Sequence, residues 1–149
     1  QFAEILTMAY LGFFLKRLGF KKVITIGVAA YFMRYAIFGT ESFPVWVIVA
    51  SQAFHGFCYA FFFAAAFIYV DKLADEDVRH SAQTVFGIII LGGGPVIGGW
   101  LSGYLQNIYT VENIFNYSNF WYTVSAIGLA TMVFFYAFFR EQLVQREPQ

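Results

Sequence analysis

Five apolar stretches separated by short polar connectors organise the chain. They run over about residues 2–15, 23–39, 44–70, 82–105 and 120–139, and all but the first come near or exceed the ~20 residues that a membrane-crossing helix needs. The pattern predicts an all-α membrane protein with five transmembrane helices, the first shortened, and a cytoplasmic tail over 140–149. The connectors alternate in charge. Lys16, Arg17, Lys21 and Lys22 separate the first two stretches, Lys72 and Arg79 the third and fourth, and Arg140 and Arg146 follow the fifth. The connectors at 40–43 and 106–119 carry no Lys or Arg. Basic residues are retained on the cytoplasmic side, so the alternation places the C-terminus inside and works only if all five stretches span.

The first stretch opens on an apolar run with no initiator Met or basic leader. With an odd number of spans and an external amino end, the expectation is a piece from the C-terminal part of a longer, even-numbered bundle. A missing N-terminal half of the same chain would then supply the other helices.

Composition narrows the function classes. The chain is 60% hydrophobic and 12% charged, against roughly 45–50% and about 25% in soluble domains, so it lacks the charges for a polar coat. Its 20 Phe suit surfaces that face acyl chains. A formal net charge of zero offers no electrostatic case for a nucleic-acid partner. The lone Cys58 excludes an internal disulfide and a multi-cysteine metal cluster. No Ser–His–Asp spacing, H-E-x-x-H run or phosphate loop is present, so no enzyme, cofactor or metal is expected.

Candidate chemistry lies in the few polar residues at membrane depth. Glu4 and Arg34 each sit about 12 residues from the first basic connector, hence roughly 18 Å from it and at similar depth. A charge near the bilayer centre costs at least ~2.5–3.5 kcal/mol, so each needs a partner, a cavity or a changed protonation state. Glu4 is a candidate for substrate or proton binding, or for a structural pair with Arg34. Gln52, His55 and Tyr59 share one helical face at i, i+3, i+7, with His55 near mid-depth as a cavity-lining, proton-relaying or simply structural group. Tyr59 and Phe63, at i, i+4, can form one aromatic patch. Asp71, Asp75, Glu76 and Asp77 read as a solvated acidic loop, and Gln83 as a polar group near the cytoplasmic end. In the fourth stretch Gly94 with Gly98, and Gly99 with Gly103, form small-xxx-small pairs that permit close helix approach, for static packing or for a moving interface. Pro95 removes one helical hydrogen bond between them.

Three segments carry a family resemblance. The first connector, Gly12-Phe-Phe-Leu-Lys16-Arg17-Leu-Gly19-Phe-Lys21-Lys22, resembles the basic loop signature of the major facilitator superfamily, with Lys16 where that family usually has an acidic residue. The runs Gln1-Phe-Ala-Glu4-Ile-Leu and His55-Gly-Phe-Cys-Tyr59-Ala60-Phe-Phe-Phe63, with Phe67-Ile-Tyr-Val-Asp71-Lys72, resemble the C-terminal half of bacterial nucleoside:proton symporters. The similarity runs from Gln1 to about Gly103. It implies a twelve-helix carrier of the bacterial inner membrane that moves nucleosides with protons by alternating access. It also implies that Gln1 and Glu4 bind the nucleoside, that Tyr59 and Phe63 wall its ribose and base, and that the Gly94–Gly103 helix takes part in rocking. Many such carriers have an acidic residue directly after the tyrosine, where this chain has Ala60. The residues alone leave open a carrier for a sugar or other polar solute, and a non-transporting scaffold or sensor.

Overall fold

The computed structural model describes residues 2–141. Gln1, expected above as a nucleoside contact, and 142–149, with Arg146, lie outside the described residues. Among the described residues, four helical segments are long and apolar enough to cross a membrane: α1 (Phe2–Gly39), α2 (Val45–Leu73), α3 (Arg79–Tyr109) and α4 (Tyr117–Phe138). Helices suit such sequences because the hydrocarbon has no water, so each backbone N–H and C=O must be satisfied within its own segment.

The first segment is not one rod. A straight helix of 38 residues would be ~57 Å long. Yet Glu4 and Arg34, near its two ends, both reach His55 of α2, at 3.5 and 3.1 Å. Chain direction reverses at Gly19, whose φ of 78° and ψ of 169° are non-helical. That region of backbone space is open to glycine almost alone. The first arm, residues 2–18, runs alongside α2 in the same direction, with Phe14 against Phe61 and then Phe20, just past the turn, against Tyr69. The second arm, residues 20–39, returns antiparallel to α2, with Tyr31 against Phe62 and Arg34 against Gln52. Lys16, Arg17, Lys21 and Lys22 therefore lie within helical arms, and the connector expected at 16–22 shrinks to one residue.

The core forms where the two arms meet α2. Leu11 of the first arm, Val23, Ile24 and Val28 of the second, and Ala60, Phe61 and Ala65 of α2 are all buried there. The fourth helix docks along the second arm: Ser125 Oγ donates to the Phe32 carbonyl at 2.9 Å, and Trp121 stacks on Tyr35 with centroids 5.3 Å apart. Asn116 starts that helix by accepting a hydrogen bond from the Asn119 N–H at 2.9 Å. Just after it, the Glu141 carboxylate accepts from the N–H groups of Phe20 and Lys21, at 3.1 and 3.2 Å. This closes the start of the second arm with an anion, which the helix dipole favours.

Between α3 and α4 the chain makes a small hairpin. Strand β1 (Thr110–Val111) pairs antiparallel with β2 (Ile114–Phe115), and Glu112 and Asn113 take φ of 49° and 63° at the turn. Two positive φ values in a two-residue loop match the twist of the flanking strands. The third segment is the least packed of the four. Among its described residues only Leu105 is buried, so one long apolar surface stays uncovered by this chain.

Candidate functional site

The polar residues singled out at membrane depth converge on one place. Arg34 Nη1 lies 3.1 Å from His55 Nδ1, and Arg34 Nη2 donates to Gln52 Oε1 at 2.7 Å. On the other side of the imidazole, His55 Nε2 is 3.5 Å from Glu4 Oε1. Glu4 and Arg34 are thus linked through the histidine ring, which stands between the carboxylate and the guanidinium. The 3.5 Å separation exceeds the ~2.7–3.2 Å of a formed N–H···O bond, so the carboxylate is close to His55 without being tied to it. The Arg34 guanidinium also sits over the rings of Phe38 and Tyr35, at 5.3 and 5.7 Å, and its Nε is buried without a hydrogen-bond partner.

A glycine makes the convergence possible. A Cβ on Gly56 would lie 2.6 Å from the carbonyl carbon and oxygen of Ala3 and 2.8 Å from Thr7 Oγ1. The first arm therefore rests directly on the α2 backbone, and Glu4, next to Ala3, is carried up to His55, next to Gly56. The Thr7 hydroxyl bonds back to the Ala3 carbonyl and stays within its own helix.

One turn further along both elements the lining becomes apolar and aromatic. Met8 follows Glu4 by four residues, and Tyr59 follows His55 by four. Met8, Tyr59, Phe63, Ala64, Phe67 and Leu91 are among the residues around a cavity of about 390 Å³. Tyr59 and Phe63 approach with ring centroids 6.2 Å apart and planes at 41°. Both belong to a π-helical stretch, Cys58–Ala64, that interrupts the α-helical course of α2. Such wider turns are frequent at functional sites. Ala60 lies in the same stretch but points the other way, fully buried in the core.

Among the described residues, the small-residue pairs of α3 find no close neighbour. A Cβ at Gly94, Gly98, Gly99 or Gly103 would meet nothing within 4 Å. Pro95 is the second residue of the α-helical part Gly94–Tyr109, which follows a second π-helical stretch, Ile88–Gly93. Gly98 and Ser102 border another cavity of about 430 Å³, shared with Tyr35, Trp121 and Phe120. At the other end of α2, Asp71 accepts from Gln83 Nε2 at 3.0 Å and lies 3.9 Å from Arg79 Nε, so it is tied to α3 rather than freely solvated.

Sequence spacing found Gln52, His55 and Tyr59 on one face, and it found Glu4 and Arg34 at one depth. Three features escaped it: the histidine between the two charges, Met8 in the cavity wall, and Glu141 at the start of the second arm. Met8 had a signal, its i, i+4 spacing from Glu4. Glu141 had none, because its partners are backbone groups about 120 residues away.

Comparison with known proteins adds to this geometry. The family model described as "Nucleoside H+ symporter" matches residues 1–143. The chain is 34% identical over 152 residues to the protein YegT of Escherichia coli (strain K12), covering 95% of this chain and 36% of that protein. It is 28% identical over 148 residues to the nucleoside permease NupG of the same organism, covering 97% and 35%. The crystal structure of an aspartate-to-alanine mutant of the nucleoside transporter NupG superposes with a TM-score of 0.85 at 29% identity, covering 93% of this chain and 35% of that one. The chain thus spans about a third of the length of the curated relatives it matches.

Proposed function

The chain belongs to the nucleoside H+ symporter family, and from that premise we propose that it forms part of a proton-coupled nucleoside carrier of a bacterial inner membrane. Each arm of α1 counts as one crossing, which makes five with α2, α3 and α4, the last five of a twelve-helix major facilitator bundle. The C-terminus is cytoplasmic. The rest of the carrier supplies the other wall of a central cavity that opens alternately to each side.

The observation that carries this reading is the adjacency of the Glu4–His55–Arg34–Gln52 cluster and the cavity beside Tyr59 and Phe63. A nucleoside needs both surfaces. Its ribose hydroxyls call for fixed polar groups, and its planar base calls for aromatic walls in a pocket of a few hundred Å³. Glu4 accepts hydroxyl hydrogen bonds when ionised and carries the coupled proton when neutral. Gln1, three residues earlier, adds amide hydrogen bonds from the same arm. Tyr59 and Phe63 shape the base pocket, and the Gly94–Gly103 stretch with Pro95 gives α3 a surface for close, movable packing against the remaining helices.

The test is uptake of labelled uridine and adenosine by the full-length protein in membrane vesicles, with and without an imposed proton gradient, beside its Glu4→Gln variant. Gradient-driven uptake in the wild type and its loss in an equally abundant variant is the expected result. Nucleoside uptake that ignores the gradient points to an uncoupled carrier, and no nucleoside uptake under either condition removes nucleosides as the cargo.

A further inference from the structure

We propose that Arg34 is a positioning residue that locks His55 in the tautomer protonated at Nε2, so that its one N–H faces Glu4 and a proton reaches Nδ1 only after Arg34 has left it. The tautomer follows from the contacts themselves. Its consequence for coupling rests on the proton-coupled reading of the site.

The argument turns on what each atom can offer. The Arg34 guanidinium has N–H donors only, accepts nothing, and is not deprotonated in proteins. Its Nη1 is 3.1 Å from His55 Nδ1, so Nδ1 must present its lone pair. A neutral imidazole then carries its one proton on Nε2, the atom that faces Glu4 Oε1 at 3.5 Å. The opposite tautomer would set N–H against N–H at Arg34 and a lone pair against the carboxylate. Imidazolium fares no better, since it sets an Nδ1–H donor against the same guanidinium.

Arg34 is itself anchored. Its Nη2 donates to Gln52 Oε1 at 2.7 Å, and Gln52 sits one turn before His55 on the same helix. The other titratable groups near Arg34 are Tyr31 and Tyr35 on the second arm and Cys58 on α2. Among the described residues, Glu4 of the first arm is the acidic group and Arg34 the cation placed against the ring. An incoming proton can settle on Glu4 without breaking a contact, whereas His55 accepts it only after Arg34 has left Nδ1.

Solid-state NMR of the full-length protein in liposomes, labelled with ¹⁵N-histidine, tests this directly. The His55 signals are assigned by their loss in His55→Gln. In the wild type, Nε2 should be protonated and Nδ1 unprotonated. In Arg34→Met the same ring should show both tautomers. A wild-type ring protonated at Nδ1, or an Arg34→Met ring indistinguishable from wild type, overturns the proposal. The wild-type spectrum decides the tautomer even where the variant fails to fold. Uptake by the same liposomes separates the two claims. The expected tautomer without gradient-driven uptake supports the lock and counts against the transport reading. The other tautomer with gradient-driven uptake overturns the lock alone.

Discussion

Glu4, Arg34 and His55 show how a polar residue is made tolerable at membrane depth. Alone, each would cost several kcal/mol; together they share partners, and the buried Nε of Arg34 has no hydrogen-bond partner among the described residues. The site depends as much on Gly56, where any side chain collides with the backbone of the first arm. Gly56→Ala should cost about 1–3 kcal/mol through overpacking. It should also move Glu4 away from His55, lowering uptake more than the loss of folded protein explains. A thermal-melt shift in detergent, read beside uptake per folded molecule, checks both parts. Spacing along the chain announced which polar residues share a face and a depth. It was silent on which of them touch, because Arg34 and Glu4 could equally have met directly.

Elements depend on their ends, and here the turn at Gly19 and the carboxylate of Glu141 act on the same few atoms. A Cβ at Gly19 would lie 2.9 Å from Glu141 Oε2, and the φ of 78° excludes most other residues. Gly19→Ala should therefore cost about 1–3 kcal/mol in backbone strain. For Glu141→Ala the expected loss is about 1–2 kcal/mol, the worth of a helix-capping side chain. Glu141→Gln should fall between wild type and Ala, keeping an acceptor but losing the charge that the helix start favours. Thermal unfolding of the three proteins orders them; equal midpoints for Glu141→Ala and wild type would show that the cap contributes nothing. The break between the arms was legible as a glycine among cations, but its length was not. Lys and Arg are good helix formers, so the arms continue through the basic residues up to the single residue that cannot be helical.

At the scale of the molecule, charge is sorted by end. Lys21 lies over Tyr136 at 4.7 Å and Lys72 over Phe20 at 5.0 Å, and Arg79 is near Asp71, so the cations of three segments gather where Glu141 docks. At the opposite end, Glu41 accepts from Ser118 at 2.9 Å, close to the hairpin with Glu112. In a Cys58→Ala background, cysteines replacing Lys22 and Asp77 should be labelled by a membrane-impermeant reagent only from the cytoplasmic side. Cysteines replacing Glu41 and Asn113 should be labelled only from outside. One residue labelled from the wrong face breaks the five-crossing topology. The bare face of α3 belongs to the same scale. A Cβ at Gly98 meets no described atom within 4 Å and faces a cavity, so Gly98→Leu should insert normally, and a severalfold fall in uptake would place the defect in contacts that α3 makes beyond these residues.

Hydropathy and charge along the chain are enough to establish that it is built of helices apolar enough to cross a membrane, which polar residues sit at depth, and which ends carry the cations. These follow from local properties, hydropathy over ~20 residues and the side chains flanking each run, and they need no partner. Tertiary structure alone decided that Gly56 admits the first arm against α2, that His55 stands between Glu4 and Arg34, that a π-helical stretch presents Tyr59 and Phe63 to one cavity, and that Glu141 closes the start of an arm about 120 residues away. Each of these joins segments far apart in the chain, or depends on a backbone irregularity that packing selects. The energy that chooses among such arrangements comes from contacts that exist only once the helices have met.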